Sequence, residues 1–157
     1  MDQITDGRVL ALDLGRKRTG IALSDPSARL ARPLETVSLG SRALLEHVRQ
    51  LIRAHEVAAV VVGRPILPSG EPGEIGRWAD EFAERLRKET GIAVVLWDEG
   101  LTTWEAEGLV THRARRTPRA RAARRAAVDR AAAALILQDY LDHRDAGGSR
   151  EGSAGRD

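Results

Sequence analysis

The chain has 157 residues, of which 42% are hydrophobic, 31% charged and only 3% aromatic, with a formal net charge of +2. That length suits one domain with a true core, built from Val, Leu, Ile and Ala because aromatic residues are scarce. The lack of cysteine excludes disulfides and thiolate metal sites. The four histidines (His47, His55, His112, His143) lack zinc-ligand spacing, so any metal would sit on carboxylates and be a hard ion such as magnesium or manganese.

The first residues, "MDQITDG", lack the charged-then-apolar pattern of a signal peptide, and apolar runs such as "VAAVVV" are too short to cross a bilayer. A cytoplasmic chain with no membrane partner is expected. "VLALDL", Val9 to Leu14, reads as a buried strand that carries a carboxylate, Asp13, late in its run. "GIALS", Gly20 to Ser24, reads as a second strand, and "GRKRTG" between them reads as a hairpin connection punctuated by Gly15 and Gly20. The two glycines invite a phosphate-loop reading. Ile21 and Ala22 follow, however, in place of the Lys-Ser/Thr that such a loop requires. A third strand is expected within Leu34 to Leu39.

The pattern then turns helical. Ser41 is a candidate N-cap, and Leu44, Leu45, Val48, Leu51 and Ile52 follow at helical spacing. "VAAVVVG", Val57 to Gly63, is a fully apolar strand, and "RPILPSGEPG" is a loop by its proline and glycine content. Ile75, Ala79, Phe82 and Leu86 form one helical face that Gly91 ends, and "IAVVLW", Ile92 to Trp97, is another buried strand. Thr102 with Glu105 has capping-box spacing, so a helix is expected there, weakened by Gly108. From Arg113 to Arg125 there are seven arginines and no acid, a composition suited to neutralising phosphates. Ala126 to His143 is the last helix, and residues 145–157 read as a disordered polar tail. Three strands joined by short connections, followed by alternating helices and strands, imply an α/β fold. Its mixed five-stranded sheet has three antiparallel strands, then parallel strands, and is flanked by helices.

Carboxylates at the carboxyl ends of strands are where such sheets do chemistry. Asp13 ends the first strand, and Asp98 and Glu99 follow the last. Asp129 lies on the final helix in register with Ala133, Ile136 and Tyr140, a face otherwise apolar or small. A buried carboxylate must be paired, protonated or metal-bound. Three of them converging would hold one or two divalent cations and support phosphodiester hydrolysis by a two-metal-type mechanism. The plainer readings are a polar loop before a helix for Asp98 and Glu99, and an ion pair with Arg125 or Arg130 for Asp129.

Four blocks together resemble the YqgF/RuvX family of Holliday-junction-resolvase-like nucleases. They are "ALDLGRKRTGIALSD", "VVGRPILPSG", "WDEGLTT" and "VDRAAAALILQDYL", in order and at fitting distances over about Val9 to Asp142. The resemblance implies an RNase H-like fold, with residues 1–144 as a single nuclease domain. It implies a metal-dependent endonuclease that matures the 5′ end of 16S ribosomal RNA precursor, a hydrolase of ribosome biogenesis. The alternatives are a resolvase of Holliday junctions and other branched DNA, and a catalytically weakened nucleic-acid-binding module. Family acids carry over to Asp13, Glu99 and Asp129 as catalytic and metal-holding residues, with Asp98 as a further catalytic candidate. Lys17, Arg64, Arg113, Arg115, Arg116, Arg119 and Arg121 are the candidate contacts to nucleic acid, whether structured RNA, pre-rRNA or branched DNA. A monomer and a homodimer both remain open. Two positions depart from the family pattern: Gly100 stands where arginine is expected, and Arg64 where leucine is common. An ATP-using enzyme of the sugar-kinase and actin-like kind shares the Asp-x-Gly hairpin, but needs two such domains where this chain has room for one.

Overall fold

The computed structural model describes residues 7–65, 67–70, 73–99 and 127–144. The helix expected from Thr102, Gly100, the arginine run with Arg113, Arg115, Arg116, Arg119 and Arg121, and the tail all lie outside the described residues. Five strands form one sheet: β1 (Arg8–Leu14), β2 (Thr19–Ser24), β3 (Ala31–Val37), β4 (Val57–Pro65) and β5 (Ala93–Glu99). Their order across the sheet is β3-β2-β1-β4-β5. β1, β2 and β3 pair antiparallel, whereas β4 runs parallel to β1 and β5 parallel to β4. The sheet is therefore the mixed one expected, with β1 at its centre.

Helices α1 (Ser41–His55) and α2 (Gly73–Thr90) cover one face. Leu10, Leu12, Val60 and Val62 point to that side and meet Leu44, Leu45 and Val48 of α1 and Phe82 and Leu86 of α2. The helix over residues 127–144, α3, covers the other. There Val9, Ala11, Ala59 and Val61 meet Ala133, Ile136, Leu137 and Leu141. The near-continuous apolar runs of β1 and β4 follow from this arrangement, because a strand buried on both faces has no polar register. Each fully buried Leu or Ile adds about 1.5–3 kcal/mol by removal from water.

The hairpin connection is shorter than expected. Leu14 already pairs with Thr19, and Asp13 with Gly20, so β2 starts one residue before the expected Gly20. β3 begins three residues earlier than expected and carries Pro33. A proline is tolerated there because β3 is an edge strand, and the register with β2 shifts at that point, pairing Ile21 with Glu35 and Ala22 with Pro33. Gly40, not Ser41, is the N-cap of α1, and it makes no side-chain cap hydrogen bond. The Ser41 hydroxyl instead accepts a hydrogen bond from Trp78 Nε1 at 2.8 Å, tying α1 to α2. β4 continues through Arg64 and Pro65, which were expected in a loop, and β5 continues through Asp98 and Glu99. Gly91 ends α2 as expected, with φ +72° and its N–H donating to the Arg87 carbonyl. No helix among the described residues is long and apolar enough to cross a membrane.

Candidate active site

Strand alternation decides which acids share a face. Leu10, Leu12 and Leu14 face α1 and α2, so Asp13 falls on the α3 side with Val9 and Ala11. It is half-buried near the carboxyl end of the central strand. Its cross-strand partners are Gly20 of β2 and Gly63 of β4, so the carboxylate has no side chain directly beside it on either neighbouring strand.

Gly20 also brings α3 in. A Cβ at that position would collide with the backbone carbonyl of Asp129. The absent side chain lets the first described turn of α3 rest on β2 beside Asp13. The same helix is held lower down by Ile136, Leu137 and Leu141, all buried against the sheet. Asp13 and Asp129 are thus brought to one face from two directions, a strand end and a helix.

Asp129 has an ion-pair partner. Arg18 Nε donates to Asp129 Oδ2 at 2.6 Å, with the two side chains 29% and 24% exposed. The sequence suggested Arg125 or Arg130 for this role. The actual partner is distant in sequence and comes from the connection after β1, where no local pattern would reveal it. The pair is charge-assisted and partly desolvated, which favours a fixed carboxylate orientation.

Asp98 does not join this face. In β5, Val94 and Leu96 pack with the α1/α2 core, whereas Val95 and Trp97 pack with the α3 core. Asp98 continues the Val94–Leu96 register and is paired with Arg64, its neighbour on β4. Arg64 Nε donates to Asp98 Oδ1 at 3.0 Å, and its NH1 donates to Asp80 of α2 at 3.2 Å. Hydrogen bonds to Asp98 first and to Asp80 second push the Arg64 guanidinium above its ordinary pKa. Arg64, expected to contact nucleic acid, is committed to two carboxylates on the face away from Asp13. Asp98, expected among the catalytic acids, is held in the same cluster.

Glu99 is the last residue of β5, paired with Pro65 and two positions beyond Trp97. Lys17 is exposed in the connection between β1 and β2. Beside it, Arg16 pairs with Glu74 of α2 at 2.9 Å, an exposed contact that contributes little to stability. Trp97 is a structural neighbour of the site. It stacks edge-on with Tyr140 (centroids 5.5 Å apart) and donates from Nε1 to Asp139 at 2.9 Å, linking β5 to α3.

The donor chemistry of Asp13 and Asp129 fits a hard divalent cation, since both offer carboxylate oxygens and no softer ligand accompanies them. Among the described residues no group of three His, Cys, Asp or Glu stands close enough to hold a metal.

The chain matches the RuvX family, described as Holliday junction resolvase, over residues 7–143. It is 44% identical over 140 residues to a protein of Anaeromyxobacter sp. strain Fw109-5, covering 88% of this chain and 99% of that one. It is 38% identical over 136 residues to a protein of Thermoanaerobacter pseudethanolicus, covering 86% and 96%. Both relatives carry the name "Putative pre-16S rRNA nuclease". Among solved structures, T. thermophilus RuvC in complex with Holliday junction substrate superposes with a TM-score of 0.51, covering 83% of this chain and 91% of that one. At 16% identity that likeness concerns the fold alone, which is RNase H-like. The span of the family match takes in the Asp13 strand, the Glu99 strand end and the Asp129 helix together, and the chain belongs to the RuvX family.

Proposed function

We propose that the chain is a divalent-metal-dependent endonuclease that hydrolyses phosphodiester bonds and matures the 5′ end of 16S ribosomal RNA precursor. One observation carries the chemistry: Asp13 stands between Gly20 and Gly63 on the α3 face, with Asp129 seated over Gly20. The names of the relatives supply the substrate class.

In this reading Asp13, Asp129 and Glu99 hold the metal. Glu99 belongs to the set by position, two residues past Trp97 in a strand of period two. When bound, one or two divalent ions of the magnesium or manganese type supply an activated water and neutralise charge on the leaving oxygen. The chain's own residues prepare the site. The Arg18 guanidinium orients the Asp129 carboxylate and offsets its repulsion with Asp13. Lys17 and the arginines Arg113, Arg115, Arg116, Arg119 and Arg121 draw in the polyanion. Arg64 is a positioning residue that ties the end of β5, one residue before Glu99, to α2.

The test compares the protein with its Asp13→Asn variant on a ribosomal precursor carrying the 16S 5′ extension, in manganese. The native protein is expected to trim the precursor. The variant is expected to lose roughly 100-fold or more of that rate, the upper range for disturbing a metal site. Identical products from both proteins would remove Asp13 from the metal set. A four-way DNA junction belongs in the same assay, because the family description names that substrate. Faster cleavage of the junction than of the precursor would favour the resolvase reading.

A further inference from the structure

We propose that a second cleft, at the opposite end of the sheet from Asp13, binds a nucleotide phosphate. The cleft has a volume of about 420 Å3 and is formed where β1 begins, β2 ends, β3 begins and α1 ends. Arg8 and Asp13 are five residues apart along β1, roughly 17 Å at strand rise, so the cleft is separate from the carboxylate site.

Two guanidinium groups and an imidazole from three different elements line it: Arg8 of β1, Arg32 of β3 and His55 of α1. Among the described residues none of the three has a hydrogen-bond or ion-pair partner. Bringing two unpaired guanidinium groups to one concavity is unfavourable by itself, and a bound anion relieves their repulsion.

One acid also lines the cleft, and its carboxylate is already engaged. Asp25 Oδ1 accepts from the N–H groups of Arg29 and Leu30, and Oδ2 accepts from the Ser27 hydroxyl. Asp25 thus directs its carboxylate at the turn before β3 rather than at either guanidinium, and its single negative charge leaves the two arginines in excess. Apart from Ser24 the remaining wall is apolar, formed by Leu23, Pro26, Pro33 and Leu34. A planar base against the prolines with its phosphate on Arg8 and Arg32 satisfies both parts of the lining, and the volume suits a ligand of that size. Such a phosphate has two sources, a free nucleotide or a strand of nucleic acid reaching past the carboxylate site.

The experiment uses the full chain and does not depend on nuclease activity. Adenosine 5′-monophosphate and a short 5′-phosphorylated single-stranded RNA are titrated calorimetrically into the Asp13→Asn protein, with and without Arg8→Gln and Arg32→Gln. A loss of about tenfold or more in affinity for either probe supports the cleft, since each arginine offers a charge-assisted contact. An effect on the mononucleotide assigns the site to free nucleotide. An effect on RNA alone, with a salt slope shallower by about 1.4, assigns it to the strand. Arg32 is exposed, so Arg32→Glu alone serves as a second variant if the double substitution disturbs folding. Unchanged affinity for both probes in Arg32→Glu and the double variant overturns the proposal.

Discussion

At the scale of single residues, the decisive position is one with no side chain. Gly20 has no unusual backbone requirement, and its value is spatial: it admits the Asp129 carbonyl next to the strand that carries Asp13. Gly20→Ala must push α3 off the sheet or bend β2. It is expected to destabilise the fold by about 1–3 kcal/mol, the usual range for overpacking, read from urea unfolding midpoints. Cleavage should fall along with stability, because Asp129 moves with its helix. A variant as stable as the native protein would show that the contact is looser than the geometry says. In the sequence Gly20 looked like turn punctuation, since a glycine six positions after the end of a strand commonly closes a hairpin. Only pairing with Asp13 and contact with a helix more than 100 residues away gave it its actual role. Asp98 carries the mirror lesson. It stands beside Glu99 in sequence as a further catalytic candidate, yet period-two alternation sends neighbours in a strand to opposite faces.

At the scale of elements, strand and helix identity followed from local patterns, and the errors fell at the ends. β3, β4 and β5 each differ from their expected bounds by two or three residues, because pairing with a neighbour extends or shifts a strand regardless of its own composition. The turn between β2 and β3 shows how local chemistry sets an end. Asp25 caps it with hydrogen bonds from Ser27, Arg29 and Leu30, which lower its pKa from the ordinary 3.8 to about 2, with Ser27 the largest cause. Between those values the unfolded chain binds more protons than the folded one, so this group's contribution is present above about pH 4 and is lost as pH falls toward 2. Asp25→Asn keeps an acceptor and removes the titration. Its urea midpoint is therefore expected to drop less between pH 4 and pH 2 than that of the native protein. Parallel acid limbs for the two proteins would mean that the turn does not sense the charge.

At the scale of the whole molecule, the sheet is a partition. α1 and α2 build the larger core on one side, and α3 builds the other and delivers Asp129. Leu137 is fully buried on the α3 side. Leu137→Ala is expected to cost about 2–5 kcal/mol, the range for a large-to-small core change, measured by chemical denaturation. At sub-denaturing temperature it should also raise proteolytic sensitivity around α3 before it affects α1, because the two helices share no core cluster. Equal protection of α1 and α3 would indicate that the two faces unfold as one.

The sequence alone determined the class of fold and the order of its described strands and helices, and it named the acids to consider. Those properties are written in local periodicity, and in apolar runs that suit only buried strands. The tertiary structure decided which of those acids share a surface. Asp13 and Asp129 lie on one face because two strands lie in one register and a glycine lets a helix rest on them. Asp98 and Arg64 are drawn together on the other side by the same pairing. The choice depends on contacts between residues as far apart as Arg18 and Asp129, and on the parity of a strand whose end is set by its neighbour. Neither is encoded within the span of a local pattern.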